Sequence, residues 1–167
     1  MPHTPGLIVR TLTRSFAIGV AAGLRSQVPS AVITDAARTG RLARGSGPIW
    51  DGLRAPVASK LGIASMLGEM VGDKLPVTPP RIAQPALSFR ILSGGLAGAF
   101  VASGLGAKSG GLAFAALAGA AGAYAGTYGG YHARKGIADT GVPDLPIALV
   151  EDVTALAIGR LAVAREL

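Results

Sequence analysis

Two long apolar segments stand side by side in the second half of the chain, at residues 91–107 and 109–131. Neither contains a charged residue, and only Lys108 separates them. A helix that crosses a bilayer needs about 20 mostly apolar residues, because each residue adds about 1.5 Å toward a hydrocarbon core about 30 Å thick. The pattern therefore predicts two adjacent spanning helices, which form a glycine-rich helical core at residues 91–131.

Small residues recur at four-residue spacing in both segments, as Gly94 and Gly98 in the first and Gly122, Gly126 and Gly130 in the second. Residues four apart lie on one helix face, and a face of small residues lets a neighbouring backbone come close in lipid. A flexible linker would be rich in glycine and serine and polar, whereas this stretch is rich in alanine, leucine and aromatic residues. We therefore predict that these five glycines are helix-packing positions.

Three further apolar segments flank this core, at residues 16–33, 56–75 and 145–164. Arg25 and Pro29 interrupt the first of them. Proline removes a backbone donor and disfavours helix at the residue before it, so this segment is predicted to be broken or re-entrant near residues 25–29. The whole pattern predicts an all-α fold, a polytopic membrane helical bundle of four to five hydrophobic segments.

The length of 167 residues indicates a single integral membrane domain over residues 1–167. We divide off residues 1–15 as an N-terminal polar segment and residues 36–55 as an interfacial loop that contains the lone Trp50. Tryptophan is enriched at membrane–water interfaces, so Trp50 is interpreted as an anchor at head-group level in preference to a ligand-stacking residue.

Composition agrees with a membrane protein, since half of the residues are apolar, 15% are charged and the mean hydropathy is +0.47. The formal charge of +7 is spread over connecting segments, which suits anionic lipid head groups better than nucleic acid, and we expect no nucleic-acid partner. There is no cysteine, and His3 and His132 lack ligand spacing, so no metal and no cofactor is predicted. Because no phosphate loop or nucleophile elbow is present, we do not expect an enzyme.

Ionisable residues within the apolar segments define a candidate intramembrane polar site: Arg25, Glu69, Asp73, Glu151 and Asp152, with Arg160 as a further candidate. Such residues are rare in membranes and face the bundle interior or a water-filled path. Two carboxylates near mid-depth would cost a helix at residues 145–164 about 5 kcal/mol or more, so either the bundle covers them or they lie nearer the interface. The cluster either handles a proton, an ion or a charged head group, or consists of ion pairs in which Arg25 meets one carboxylate.

Four stretches resemble a known family. They are Ala-Gly-Leu-Arg-Ser at residues 22–26 before Val28 and Pro29, Gly-Glu-Met-Val-Gly-Asp-Lys-Leu-Pro-Val-Thr-Pro-Pro-Arg at 68–81, Arg-Ile-Leu-Ser-Gly-Gly at 90–95, and Pro143 and Asp144 before Glu151 and Asp152. Over nearly the whole chain this resembles the small multi-pass bacterial membrane proteins of the family called domain of unknown function 4126. The resemblance implies a helical bundle in the bacterial inner membrane, and it implies no activity and no site residues.

Charge alone leaves the orientation open. If five segments cross the bilayer, the basic residues divide equally between the two sides, so the excess of Lys and Arg in cytoplasmic loops selects neither. A re-entrant first segment would leave four crossings. Two functions remain open: a small transporter or channel-like protein with an Arg/carboxylate site, or a structural or accessory membrane subunit. The second would associate, as a homo-oligomer or with a membrane-protein partner, through glycine-zipper helix faces.

Overall fold

A computed structural model describes residues 5–72 and 82–164, and all regular structure in these two ranges is α-helical. The seven helices are α1 Pro5–Leu24, α2 Val28–Arg38, α3 Pro48–Arg54, α4 Pro56–Gly72, α5 Ala86–Gly104, α6 Ser109–Ala138 and α7 Asp144–Ala162. The predicted all-α class is confirmed for these residues. Asp73 of the candidate site lies outside the described residues.

The first apolar segment is a helix hairpin. Helix α1 ends at Leu24, and α2 begins only at Val28, with Pro29 in its first turn, where a missing backbone N–H costs no helical hydrogen bond. After α2 the backbone N–H of Arg44 donates to the carbonyl of Gly104 at 3.1 Å. Since Leu7 and Ile8 at the start of α1 line a cavity with residues 105–108 that follow Gly104, α2 returns toward the end of the bundle where α1 began.

The remaining long helices alternate in direction along this hairpin. We call the start of α1 with residues 39–47 and 105–108 the upper end, and residues 25–27 with the end of α4 and the start of α5 the lower end. Helix α4 runs downward, because its Gly62 faces Ala31 of α2 and its Glu69 reaches residues 26 and 27. Helices α5 and α7 run upward, and α6 runs downward beside α1.

The centre of the bundle is a three-helix contact among α1, α5 and α6 that depends on glycine. A Cβ added at Gly94 would lie 2.5 Å from the Ala123 side chain, and one at Gly98 would lie 2.5 Å from the Ala115 carbonyl oxygen. Gly122 and Gly126 of α6 contact the backbone of α1 in the same way, and a Cβ at Gly126 would lie 3.0 Å from the Val20 Cα. These four glycines therefore set how closely the helices approach within one chain.

Two helices in the described ranges, Gly6–Leu24 and Ala86–Gly104, are long and apolar enough to cross a membrane, by length and composition. The predicted spanning helix at residues 109–131 is part of the 30-residue α6 but is not one of these two, because its glycines, tyrosines and threonine lower its hydropathy. The number of four to five spanning segments therefore remains a prediction.

Two boundaries differ from those expected from the sequence. Residues 5–15, which we set apart as a polar segment, form the first half of α1, since the two arginines at positions 10 and 14 do not interrupt helical spacing. The interfacial loop at residues 36–55 contains the end of α2 and the short α3. Trp50 of α3 is buried, and its indole N–H donates to the Ser103 hydroxyl at 3.2 Å.

Candidate functional site

The candidate site is built around the turn at residues 25–27, whose backbone groups leave the helical hydrogen-bond pattern. The Glu69 carboxylate from α4 accepts hydrogen bonds from the Ser26 N–H at 2.8 Å, the Ser26 hydroxyl at 2.7 Å and the Gln27 N–H at 2.8 Å. A carboxylate at this place satisfies donors that the start of α2 would otherwise leave unpaired, and it complements the positive end of the helix dipole. Glu69 therefore caps α2 from a different helix.

Arg90 of α5 caps the C-terminal end of α1. Its Nη1 donates to the carbonyls of Gly23 at 3.0 Å and Leu24 at 3.1 Å, which α1 leaves unpaired at its C-terminus. Its Nη2 lies 3.4 Å from Glu69 Oε1, and the two side chains are only 7% and 10% exposed. One buried ion pair thus caps both helices that meet at the turn.

Arg25 extends from the same turn toward α7. Its side chain is fully buried, with Nε 2.5 Å from Asp152 Oδ1 and Nη2 3.9 Å from Glu151 Oε2. Glu151 also lies 3.6 Å from Nη1 of Arg134 on α6. Arg134 in turn pairs with the exposed carboxylate of Asp144 at 2.6 Å. The ion pairs therefore continue from the interior of the bundle to its surface at the start of α7.

These side chains form one layer at the lower end of the bundle. Among the described residues the layer contains three arginines and three carboxylates: Arg25, Arg90, Arg134, Glu69, Glu151 and Asp152. Its members belong to five different segments, the 25–27 turn and helices α4, α5, α6 and α7. We call this group the charge layer. Opposite charges that come from separate helices fix how those helices are arranged around the turn.

The structure divides the predicted site residues between two ion-paired groups. Arg25, Glu151 and Asp152 come together, whereas Glu69 reaches the same turn from its other side and pairs with Arg90. Arg160 is exposed near the upper part of α7, away from these residues. Of the predicted packing glycines, Gly130 is half-buried.

Arg90 and Arg134 were missed by the sequence reasoning. Each stands at the edge of an apolar segment, where a basic residue is ordinarily a flanking charge. One indication of a residue such as Arg90 was present in the sequence, because any helix break at residues 25–29 must leave backbone carbonyls that need a hydrogen-bond donor. The structure satisfies those carbonyls with a cation that the sequence places far from the break.

Two cavities of about 430 and 420 Å³ lie elsewhere on the bundle. The larger is at the upper end, and the smaller is an apolar groove between α2 and α5 beside Pro29 and Ser93. No residue of the charge layer lines either of these two cavities. The residues of the charge layer are therefore paired with one another, and neither of these two cavities reaches them.

Comparisons with family models, with curated proteins and with solved structures found no match. The resemblance to the family called domain of unknown function 4126 stays a prediction. The fold and the charge layer accordingly rest on the residues of this chain alone.

Proposed function

We propose that the chain is a multi-pass membrane protein, and that the bundle crosses a bacterial inner membrane, the location that the family resemblance implies. Large apolar side chains are exposed on the outer faces of α4 to α7, while glycine, alanine and the charge layer fill the interior. Examples are Leu61, Leu67, Leu92, Leu96, Phe114, Leu117, Val150 and Val153. Outer faces of this kind suit acyl chains, and in water they would form apolar patches larger than monomeric soluble proteins usually expose.

The long helices α1, α4, α5 and α6 would each cross the bilayer, whereas α7 would enter it from the lower end, because only residues 152–162 extend above its contact with Arg25. Helix α2 has 11 residues and is therefore only about 16 Å long, too short to cross alone. It is mostly buried by its neighbours, and irregular backbone is tolerated at membrane depth where protein surrounds it. We therefore infer that α2 is a short interior return toward the side on which α1 starts.

This arrangement makes the charge distribution unequal. The upper end carries exposed or half-buried cations from the start of α1, from the α2 to α4 region and from the α5–α6 turn: Arg10, Arg38, Arg41, Arg44, Arg54, Lys60 and Lys108. Among residues 5–72 and 82–164, the lower end has two exposed or half-buried cations, Arg134 and Lys135. Since cytoplasmic loops carry the excess of Lys and Arg, we propose that the upper end faces the cytoplasm.

Within this membrane protein we propose that the charge layer is architectural, and that the chain serves as a structural or accessory membrane subunit. The observation that carries this proposal is the pairing at the 25–27 turn. Glu69 accepts three hydrogen bonds and pairs with Arg90, and the fully buried Arg25 pairs with Asp152. A carboxylate that must bind and release a proton or ion would need a route and a free lone pair.

Two features of the proposed subunit follow from these helices. If α1 crosses the bilayer, its 20 residues span about 30 Å, and Arg25 then lies near the lower membrane boundary. The faces around Gly94, Gly98, Gly122 and Gly126 are occupied by the chain's own helices. Association with another membrane protein would therefore use the outer faces of the bundle.

Transport is the second candidate, and the interrupted α1–α2 hairpin favours it. In many transporters the ends of discontinuous helices bind anionic substrates and coupling ions. Here Glu69 occupies the start of α2 and Arg90 occupies the end of α1, the two places where such ligands would bind. A transport cycle would require these side chains to exchange with a ligand.

Flux into proteoliposomes separates the two candidates. The purified chain is reconstituted with a pH-sensitive dye inside, and proton and cation uptake is measured under an imposed membrane potential. We expect uptake equal to that of protein-free liposomes, with the same result for Glu69→Gln. Uptake by the parent chain that Glu69→Gln abolishes, while the matched exposed variant Asp139→Asn retains it, would overturn the architectural proposal.

A further inference from the structure

An open cavity of about 430 Å³ lies at the upper end, between the first turns of α1 and the turn that joins α5 to α6. Its volume falls within the range of about 300–1,000 Å³ that is typical of small-molecule sites. Its wall is apolar, and its large apolar side chains are Leu7, Ile8, Leu12, Leu105 and Phe114. Gly110 also lines it, and a Cβ built there meets no atom within 4 Å.

Two cations share this cavity with the apolar wall. Arg44 and Lys108 both line it and both are exposed. The Arg44 Nη1 donates to the Leu105 carbonyl at 3.0 Å, which holds the guanidinium beside the turn. In residues 5–72 and 82–164 no carboxylate pairs with either cation, and no acidic side chain lines the cavity. The positive charge is therefore available to a ligand.

We propose that this cavity binds a membrane phospholipid with an anionic head group. One acyl chain packs against Ile8 and Phe114, and the phosphate lies between Lys108 and Arg44. An apolar wall with two cations at one rim matches an amphiphile whose charge is at one end, and basic pockets between helices bind acidic lipid head groups. The site rests on the membrane placement proposed above, and it lies on the side that we assign to the cytoplasm, whose leaflet is rich in anionic lipid.

The single tryptophan of the chain reports on the site. Trp50 is buried, and a Cβ at Gly104, the residue before Leu105 of the cavity wall, would lie 3.0 Å from its indole ring. The full chain is reconstituted into phosphatidylcholine bilayers that contain increasing amounts of brominated phosphatidylglycerol, with brominated phosphatidylcholine as the matched lipid. Bromine on an acyl chain in the cavity quenches Trp50 fluorescence. We expect quenching at lower mole fractions of the anionic lipid than of the zwitterionic one.

Variants of the rim and of the wall test the two parts of the site. Lys108→Ala should weaken the preference for phosphatidylglycerol about fivefold, because one cation near a membrane surface contributes about 1 kcal/mol. Lys60→Ala, which removes an exposed cation of α4, should leave the preference unchanged. Gly110→Leu should reduce quenching by both lipids, because Gly110 lines the cavity and a Cβ there meets no atom within 4 Å, whereas Gly129→Leu, at an equally open position of α6 outside the cavity, should not.

The outcomes separate the site from the membrane placement. Equal quenching by both brominated lipids, or a preference for phosphatidylglycerol that survives both Lys108→Ala and Arg44→Ala, would overturn the lipid site and leave the membrane placement standing. Absence of quenching by either brominated lipid would show that no acyl chain lies beside the buried Trp50 and would overturn the site, whereas a chain that does not stay with the bilayers in flotation would overturn the membrane placement. Quenching that Gly110→Leu leaves unchanged would place the lipid outside the cavity and would also overturn the proposal.

Discussion

The ion pair between Arg25 and Asp152 gives the sharpest test of an architectural charge layer. Arg25→Met removes the cation and keeps an unbranched side chain of similar length, so little packing volume is lost. Asp152 then loses the cation whose Nε lies 2.5 Å from its Oδ1, while Glu151 keeps Arg134 at 3.6 Å. Removing one member of a buried pair costs about 3–5 kcal/mol, because the other charge stays desolvated.

Removing the second charge should restore much of this loss. Asp152→Asn alone leaves the fully buried Arg25 with Glu151 at 3.9 Å, and is also expected to destabilise. In the double variant neither charge is buried without its partner. Its free energy of unfolding should therefore fall by about 2–3 kcal/mol less than the sum of the two single-variant decreases, which is at the upper end of coupling energies between contacting residues. For a domain of this size each kcal/mol moves the thermal midpoint by about 2–4 °C.

The four proteins are compared by thermal unfolding in one detergent, with near-ultraviolet circular dichroism at a fixed scan rate. Arg160→Met and Asp139→Asn form the control cycle, because both residues are exposed and lie on different parts of the bundle. Their effects should add to within about 0.5 kcal/mol. If the double variant Arg25→Met with Asp152→Asn loses as much stability as the two single variants together, the pair is not coupled and the charge layer is not architectural.

Two further predictions concern packing and orientation. Gly126→Leu should lower the thermal midpoint strongly, because the leucine side chain would overlap the Val20 backbone. The matched Gly129→Leu meets open space and should leave the midpoint unchanged. A smaller oligomer with an unchanged midpoint would instead assign Gly126 to a contact between chains. Because the chain has no cysteine, Ser46→Cys and Thr140→Cys each introduce a single thiol at an exposed position of opposite ends. A membrane-impermeant maleimide applied to spheroplasts should label Thr140→Cys but label Ser46→Cys only after permeabilisation, and the reverse pattern would invert the proposed orientation.

Much of the fold was accessible from local pattern. The helical class follows from apolar segments of helical length, and the break near residues 25–29 follows from a proline whose effect on the preceding residue is local. The close contacts at Gly94, Gly98, Gly122 and Gly126 lie on the faces that the four-residue spacing marks out. Gly130 continues the same spacing and is half-buried.

The direction of the chain after the break was not accessible in the same way. The break predicts that α1 and α2 are separate helices. A kinked helix and a reversal of the chain direction, however, have the same local sequence pattern. What distinguishes them is tertiary, namely the return of Arg44 to the Gly104 carbonyl and the capping of the turn by Glu69 and Arg90. The equal division of basic residues between two sides resulted from treating α1 and α2 as one crossing.

The reversal also explains how a poorly inserting helix can belong to the bundle. Helix α7 contains Glu151 and Asp152, whose insertion costs as much as its aliphatic residues gain. In the proposed membrane placement, Arg25 follows a full-length α1 and its guanidinium lies near the lower boundary, so that the Glu151 and Asp152 carboxylates need not lie unpaired at the centre of the bilayer. The same turn offers unpaired backbone donors to Glu69 of α4 and unpaired carbonyls to Arg90 of α5. The α1–α2 turn therefore offers complementary charge or hydrogen bonds to three other helices. The positions of these helices are fixed because any other arrangement would leave buried charges or polar groups unpaired, which costs free energy.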